Sequence, residues 1–224
     1  MLEAEAARLC DILLAQDALS PLLNLGSSTR DFRERAKPHI EGRLFGPLRE
    51  AGIEVLHSDL KRADGVDLSG DILDPAIRAG LKAKGFRSVL LSNVLEHVPD
   101  RAAVIAACEE IVGPGGLVLA TVPCSFPYHA DPVDNGYRPT GAALAAAFTR
   151  SLPLLSEELT GPTYEQQIAA RGSRLWRELA QTVLWTLILP LRPRSARARL
   201  DRWRWYRRPY RVAIALVKVA TTSS

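Results

Sequence analysis

The sequence has few cysteines and lacks any long uninterrupted run of apolar residues. Its three cysteines are Cys10, Cys108 and Cys124, and their odd number and scattered spacing match no zinc site and favour no disulfide framework. A reducing cytosol is therefore the simplest compartment. The absence of about 18 consecutive apolar residues argues against a membrane-spanning helix. The first residues carry acids early and lack the basic start of a signal peptide, so we expect a cytoplasmic protein.

Lysine is absent from a segment that is rich in arginine. Residues 171–211 contain twelve Arg, no Lys, one Glu and one Asp, so this segment carries +10 although the chain carries only +4. Trp203, Trp205 and Tyr206 stand among these arginines. Arginine mixed with large aromatic rings is typical of surfaces that bind anionic membranes, and we predict such a peripheral surface here. Two alternatives remain open. In one, the apolar helical stripe of this segment (Leu175, Trp176, Leu179, Val183, Leu187 and Ile188) packs on the sheet and the arginines are solvated; in the other, which is less favoured, the segment binds nucleic acid.

Apolar runs and helical segments alternate along most of the chain. This alternation predicts an α/β fold, a doubly wound Rossmann-like sheet of about seven strands with helices on both faces. We expect a single domain over residues 1–224, with a basic, aromatic helical insertion at 163–209 before the last strand. The first helix is predicted over residues 2–18. The predicted strands are Leu22–Leu25, Ile53–His57, Val66–Asp71, Ser88–Val94, Leu117–Val122, Leu152–Leu159 and Tyr210–Ala220.

The clearest pattern lies in the middle of the chain. An apolar run over Ser88–Val94 precedes a helical segment that ends at Gly113-Pro114-Gly115-Gly116, and a second apolar run follows over Leu117–Val122. Two buried strands flanking one helix predict a parallel βαβ unit, whose ligand chemistry lies at the carboxyl ends of its strands. Three polar residues stand at the first of these ends, and the last two are expected to begin the helix: Asn93, Glu96 and His97.

This order of motifs resembles the class I S-adenosylmethionine-dependent methyltransferases, in particular the broad type that acts on small molecules. The sequence VLEHVPD, the helix, GPGG and an apolar strand that ends in proline carry the resemblance. It implies transfer of a methyl group from S-adenosylmethionine to a small-molecule acceptor or to one linked to a glycan or lipid. It implies no metal ion.

The resemblance also implies which residues hold the cofactor. Gly26 and Ser28 lie in the turn after the first strand, where the backbone of this family approaches the methionine and ribose portions closely. Asp59 follows the second strand and is implied to accept hydrogen bonds from both ribose hydroxyls. Asp71 follows the third strand and is implied to meet the adenine amino group. Asn93 is implied to lie beside the methyl group that is transferred.

The turn after the first strand departs from the family pattern. Asn24 stands where the family carries an acid, and Ser28 and Arg30 stand where it carries further glycines. A catalytically inactive scaffold or interaction protein of the same fold, bound at the membrane, is therefore an alternative. The arginine-rich segment leaves a second alternative, a methyltransferase associated with RNA.

A loop rich in turn formers and aromatic residues, Phe126–Thr140, follows the fifth strand. We predict that His129 acts in it as a catalytic base and that Asp134 orients this base. The loop is similar to a P-x-H-x-x-P-x-D-x-x-R segment of methyltransferases from glycan assembly, which implies a sugar-type acceptor. A turn that is only pinned by an Asp134–Arg138 pair remains possible. The predicted acceptor-binding residues are Tyr128, Tyr137 and Arg138.

Overall fold

Seven strands form one sheet in the computed structural model, which describes residues 1–128, 134–170, 172–187 and 199–221. The apolar runs of the sequence became strands because they can be buried on both faces of a sheet. The strands are β1 (Leu22–Leu25), β2 (Val55–Asp59), β3 (Leu68–Ser69), β4 (Ser88–Ser92), β5 (Leu117–Ser125), β6 (Ser151–Thr160) and β7 (Arg211–Val219).

The strand order β3-β2-β1-β4-β5-β7-β6 makes an open, doubly wound sheet. The strands β1 to β5 pair in parallel, and β7 runs antiparallel to both β5 and β6. The order reverses between β1 and β4, which are neighbours in the sheet. Ligands of open α/β sheets bind outside the carboxyl ends of the strands beside such a reversal. The predicted sheet of about seven strands is confirmed.

Helices cover both faces of this sheet. Their bounds are α1 (Glu3–Leu14), α2 (Pro38–Ile40), α3 (Gly46–Glu50), α4 (Pro75–Ala83), α5 (Arg101–Val112), α6 (Gly141–Ala146), α7 (Tyr164–Ala170) and α8 (Leu175–Leu187). Shorter turns are π-helical at Phe32–Ala36 and Glu41–Phe45 and 3-10 at Trp203–Trp205.

Side chains alternate between the two faces of the sheet along each strand, so the core has two layers. Leu22 and Leu90 point into a cluster that includes residues of α1 and of the helical turns around α2 and α3. Leu23 and Val89, one position away, point into a cluster with residues of α4, α5 and α6. Successive strand residues face opposite sides of a sheet, so both faces need apolar cover. The prediction of helices on both faces is confirmed.

The boundaries around β4 and α5 differ from the prediction. β4 ends at Ser92, because Asn93 takes a left-handed conformation with φ +53° that breaks the extended backbone. The helix begins at Arg101 and not at Glu96. Pro99 disfavours helical backbone at the residue before it, and Asp100 caps the helix by accepting a hydrogen bond from the Ala103 N–H at 2.9 Å. Glu96 and His97 therefore lie in a turn above the sheet.

The insertion before β7 packs around its own small apolar cluster, which contains Tyr164 and Tyr210. The Trp203 ring lies edge-on to Tyr164, and its Nε1 donates to Thr182 Oγ1 at 3.0 Å. Trp205 Nε1 donates to Ser125 Oγ at 3.4 Å. These tryptophan rings therefore pack inward, although the sequence predicted them at a membrane-binding surface.

Candidate functional site

Two loops meet where the order of the sheet reverses, one after β1 and one after β4. Gly26 in the first loop has φ +71°, and a Cβ atom at this position would lie 2.5 Å from Val94 Cγ2 in the second. Only glycine tolerates both the left-handed backbone and this close approach. The two loops therefore form one continuous wall of the crevice.

The turn after β1 is held by a hydrogen bond from its backbone to the side chain of an acid on β2. Ser28 has φ +56°, a conformation that favours glycine, and its N–H donates to Asp59 Oδ2 at 2.8 Å. The buried Arg33 guanidinium donates to the carbonyl oxygens of Ser27 at 3.0 Å and Ser28 at 2.8 Å. The turn thus keeps a glycine-like shape with serine at the expected glycine position, because Asp59 and Arg33 fix its backbone from both sides.

Arg30 points away from this turn. Its side chain is 56% exposed, and its Nε lies 3.6 Å from Asp64 Oδ2 in the loop between β2 and β3. The Arg30 N–H also donates to the Asp64 carbonyl oxygen at 3.0 Å. The side chain is therefore directed toward the loop between β2 and β3, although it stands where the family carries glycine.

A neutral pair replaces the acid that the family carries on β1. Asn24 Nδ2 lies 3.0 Å from His57 Nδ1, and both side chains are buried. An amide nitrogen only donates, so His57 Nδ1 must accept and the ring is neutral. Burial, followed by the charge of Arg33, lowers the pKa of His57 to about 4, which is consistent with this neutral form.

The two predicted carboxylates lie at adjacent strand ends. The Gly70 N–H donates to the Asp59 carbonyl oxygen at 3.0 Å, which joins the end of β3 to the end of β2. Asp59 Oδ1 accepts from the Lys61 N–H at 3.3 Å, and Asp71 Oδ1 accepts from the Leu73 N–H at 2.9 Å. Each carboxylate oxygen can accept more than one hydrogen bond, so both acids keep capacity for a ligand.

The side chain of Asn93 binds a buried acid from the first helix. Glu5 Oε1 accepts from Asn93 Nδ2 at 2.8 Å and from Thr121 Oγ1 at 2.8 Å. Glu5 Oε2 accepts from the Leu2 N–H at 2.9 Å. Asn93 therefore offers its amide to Glu5, and its left-handed backbone shapes the loop beside the crevice. The sequence pattern missed Glu5, although it lies at helical spacing from Leu2 and Leu9 on the buried face of α1.

Glu96 lies in the turn after β4 and is completely buried. Neither of its carboxylate oxygens has a hydrogen-bond partner within the described ranges. Burial raises the pKa of Glu96 to about 7, and the charge of Arg138 opposes this rise. The sequence marked Glu96 only as a polar residue at a strand end, and its burial became apparent from the structure.

The loop after β5 is tied to this turn and to α5. The Asn135 N–H donates to the Glu96 carbonyl oxygen at 2.9 Å, and its side-chain nitrogen donates to two further carbonyl oxygens of the same turn. Arg138 forms an ion pair through both terminal nitrogens with the buried carboxylate of Asp134. The Arg101 guanidinium lies 4.4 Å from the centre of the Tyr137 ring.

The predicted acceptor residues are therefore only partly brought together. Asp134, Arg138 and Tyr137 lie in one anchored loop, and the Tyr128 N–H donates to Asp201 Oδ2 at 2.8 Å, which ties this loop to the insertion. His129 lies outside the described residues, so its role as a base and the role of Asp134 in orienting it remain predictions.

Comparison with solved structures identifies the fold. A S-adenosylmethionine-dependent methyltransferase from Archaeoglobus fulgidus aligns over 96% of this chain and 93% of its own, with a TM-score of 0.53 and 14% identity. Coclaurine N-methyltransferase, bound to N-methylheliamine and S-adenosylhomocysteine, aligns over 96% of this chain and 70% of its own, with a TM-score of 0.55 and 14% identity. This chain has the class I methyltransferase fold.

The fold alone does not fix the reaction. The [4+2]-cyclase SpnF aligns over 96% of this chain and 81% of its own, with a TM-score of 0.53 and 15% identity. No protein-family model matches the sequence, and no curated protein matches it. The reaction must therefore be argued from the site.

Proposed function

We propose that this protein transfers a methyl group from S-adenosylmethionine to a small-molecule acceptor. The observation that carries the proposal is the hydrogen bond from the Ser28 N–H to Asp59, which holds a carboxylate at the end of β2 beside the turn after β1. The methyltransferase fold and the exposed position of Arg30 support it. The inactive scaffold is disfavoured, because the turn after β1 keeps its shape despite its unusual sequence.

The residues at this edge fit the cofactor. Gly26 and Ser28 present left-handed backbone that lets a ligand approach closely. Asp59 is suited to accept hydrogen bonds from a ribose diol, and Asp71 stands at the next strand end to meet the adenine amino group. Asn93 shapes the wall of the crevice beside the reacting end. When bound, the cofactor supplies an electrophilic methyl group on a sulfonium, and the protein supplies orientation and exclusion of water.

For the acceptor, we keep the glycan- or lipid-linked class as the finer proposal. The loop that contains Asp134, Tyr137 and Arg138 is anchored against the turn after β4, which supports a role for it in holding a polar acceptor. A hydroxyl acceptor would also need a base, the role that we propose for His129 with Tyr128 beside it.

A surface on α8 supports location at an anionic membrane. Trp176, Leu179 and Val183 form the α8 apolar face, with 59%, 48% and 60% of each residue exposed. Exposed arginines stand near it in the sequence, and each basic residue close to an anionic bilayer adds about 1 kcal/mol of binding free energy. The sequence places Leu187 and Ile188 on the same helical stripe, but their side chains lie outside the described residues. No helix in the described ranges is long and apolar enough to cross a bilayer.

The cofactor proposal is tested by titrating the full chain with S-adenosylhomocysteine in a calorimeter. We expect saturable binding and a rise of the melting temperature with ligand concentration, because a ligand that binds only the folded state stabilises it. Absence of both effects at millimolar ligand would favour the scaffold alternative. Transfer of a labelled methyl group to an acceptor then separates a methyltransferase from a cyclase of the same fold.

The α8 apolar face predicts a specific loss of lipid binding. Replacing Leu179 and Val183 by glutamine should weaken sedimentation with vesicles of phosphatidylcholine and phosphatidylglycerol by 10-fold or more, since burying each such side chain contributes about 1.5–3 kcal/mol. The matched control replaces Leu152 and Leu154, which are equally exposed on β6, by glutamine. Equal binding by both variants, or RNA retention without lipid binding, would contradict the membrane surface.

A further inference from the structure

Glu96 is a buried acid that the fold leaves without a hydrogen-bond donor. Its carboxylate is 1% exposed, and no described residue donates to either oxygen. An unpaired buried polar group costs stability, and a buried carboxylate costs more than a neutral group. Such a group is retained where it serves a ligand, because substitution by an apolar residue would otherwise stabilise the fold.

The basic groups around Glu96 donate no hydrogen bond to its carboxylate. His97 Nε2 lies 3.8 Å from Glu96 Oε1, within ion-pair range but beyond hydrogen-bond distance. Arg138 already binds Asp134 through both terminal nitrogens. The amino group of Met1, which precedes α1, and the carboxylate of Glu5 on α1 act on Glu96 through charge interactions. The site therefore has a carboxylate with unused acceptor capacity.

The position of Glu96 relates it to the acceptor and not to adenosine. The predicted adenosine contacts lie at the ends of β2 and β3, on one side of the reversal point. Glu96 lies on the other side, in the turn after β4, and Asn135 holds this turn against the loop that we assign to the acceptor. A ligand group that meets Glu96 there must bring its own hydrogen-bond donor, and a protonated amine brings both donors and the opposite charge.

We propose that Glu96 binds the protonated amine of the methyl acceptor, so that the acceptor atom is nitrogen. This inference rests on the proposed methyl transfer. The ammonium binds the Glu96 carboxylate and gives it one proton, which frees the nitrogen lone pair. A carbon–nitrogen bond then forms as the carbon–sulfur bond breaks, and the electron pair of the broken bond stays on sulfur. The products are S-adenosylhomocysteine and a methylated ammonium, and the proton on Glu96 passes to water.

The chemistry of Glu96 suits this exchange. An acid whose pKa is raised to about 7 can take and release a proton near neutral pH. Asp134 is less suited, because its carboxylate is held by Arg138.

The inference is tested by binding, with paired probes that differ only in the donor group. The probes are glucosamine against glucose, benzylamine against benzyl alcohol, and 2-aminoethanol against ethane-1,2-diol. Each is titrated calorimetrically into the full chain saturated with S-adenosylhomocysteine. In at least one pair, we expect the amine to bind at least 10-fold more tightly than the matched hydroxyl compound. Glu96→Met should abolish this difference. Equal binding of the two members of every pair, no binding by any amine, or unchanged amine binding by Glu96→Met would overturn the inference.

A stability measurement separates this role from a structural one. The pKa of Glu96 is raised from 4.5 to about 7 in the folded chain, so between these pH values the unfolded chain ionises and the folded chain does not; the cost to the folded state is therefore small at pH 5 and complete at pH 8. We expect Glu96→Met to raise the melting temperature at pH 8 and to raise it less at pH 5. Glu109 provides the control, because it is equally buried but accepts from Ser151 Oγ at 2.7 Å, so Glu109→Met should lower the melting temperature. A lower melting temperature for Glu96→Met at pH 8 would indicate a structural role and count against the inference.

Failure of this inference is distinct from failure of the proposed function. If the unaltered chain does not bind S-adenosylhomocysteine, the methyl transfer itself is rejected. If it binds S-adenosylhomocysteine and the amines fail, only the amine acceptor is rejected.

Discussion

Replacing Asp59 by asparagine is expected to weaken the binding of S-adenosylhomocysteine about 100-fold. The carboxylate is proposed to accept hydrogen bonds from both ribose hydroxyls, and hydrogen bonds to charged groups contribute about 1.5–3 kcal/mol each. Asparagine keeps one oxygen and turns two donor hydrogens toward groups that also donate. A loss of about 2.7 kcal/mol corresponds to the stated factor, and calorimetric titration measures it directly.

The control for Asp59 lies in the next loop. The Asp64 carboxylate lies 3.6 Å from Arg30 Nε and its side chain is 81% exposed, so Asp64→Asn should change the affinity less than about twofold. A ligand analogue tests whether Asp59 binds the ribose. Removing the 2′-hydroxyl from S-adenosylhomocysteine should weaken binding to the unaltered chain, but should weaken binding to Asp59→Asn much less. If the analogue lowers the binding free energy of both proteins by the same amount, Asp59 does not hold the ribose.

The sheet was predictable because its signal is carried by whole segments. The apolar runs that became β1, β4 and β5 are buried on both faces, and their short length and flanking glycines or prolines favour strands over buried helices. The boundaries were less predictable, because single residues set them. Asn93 ends β4 by taking a left-handed conformation, and Asp100 starts α5 by capping it. Neither event is visible in the hydrophobic pattern.

The candidate site was predictable at the strand ends and not between them. Asp59 and Asp71 follow strands, so the register of the sheet alone brings them to one edge. The contacts of Glu5 with Asn93 and Thr121 join residues 88 and 116 positions apart, and only the tertiary fold creates them. The inward packing of Trp203 and Trp205 also depends on the tertiary fold. Composition predicted a membrane-binding surface, but the ring nitrogens donate to the hydroxyl groups of the buried residues Thr182 and Ser125.

Stability is expected to fall in acid because of His57. Its pKa is lowered from 6.5 to about 4 in the folded chain, so between these pH values the unfolded chain binds a proton that the folded chain does not. The stabilising contribution of the neutral ring is fully present above pH 6.5 and is lost as the pH falls toward 4. A shift of this size corresponds to about 3 kcal/mol. Denaturant unfolding at a series of pH values measures it.

The variant His57→Gln isolates this effect from the other titrating groups. Glutamine removes the titration and retains an oxygen that can accept from Asn24. Between pH 7 and pH 4, the free energy of unfolding of this variant should therefore fall by about 3 kcal/mol less than that of the unaltered chain. Glu96 acts in the opposite direction over this range but is present in both proteins and cancels in the difference. His39→Gln makes the same substitution outside the core and controls for the general effect of replacing a histidine by glutamine. Parallel curves for His57→Gln and the unaltered chain would show that the ring is not held neutral, and the Asn24–His57 pair could then not be the neutral substitute for the family's acid.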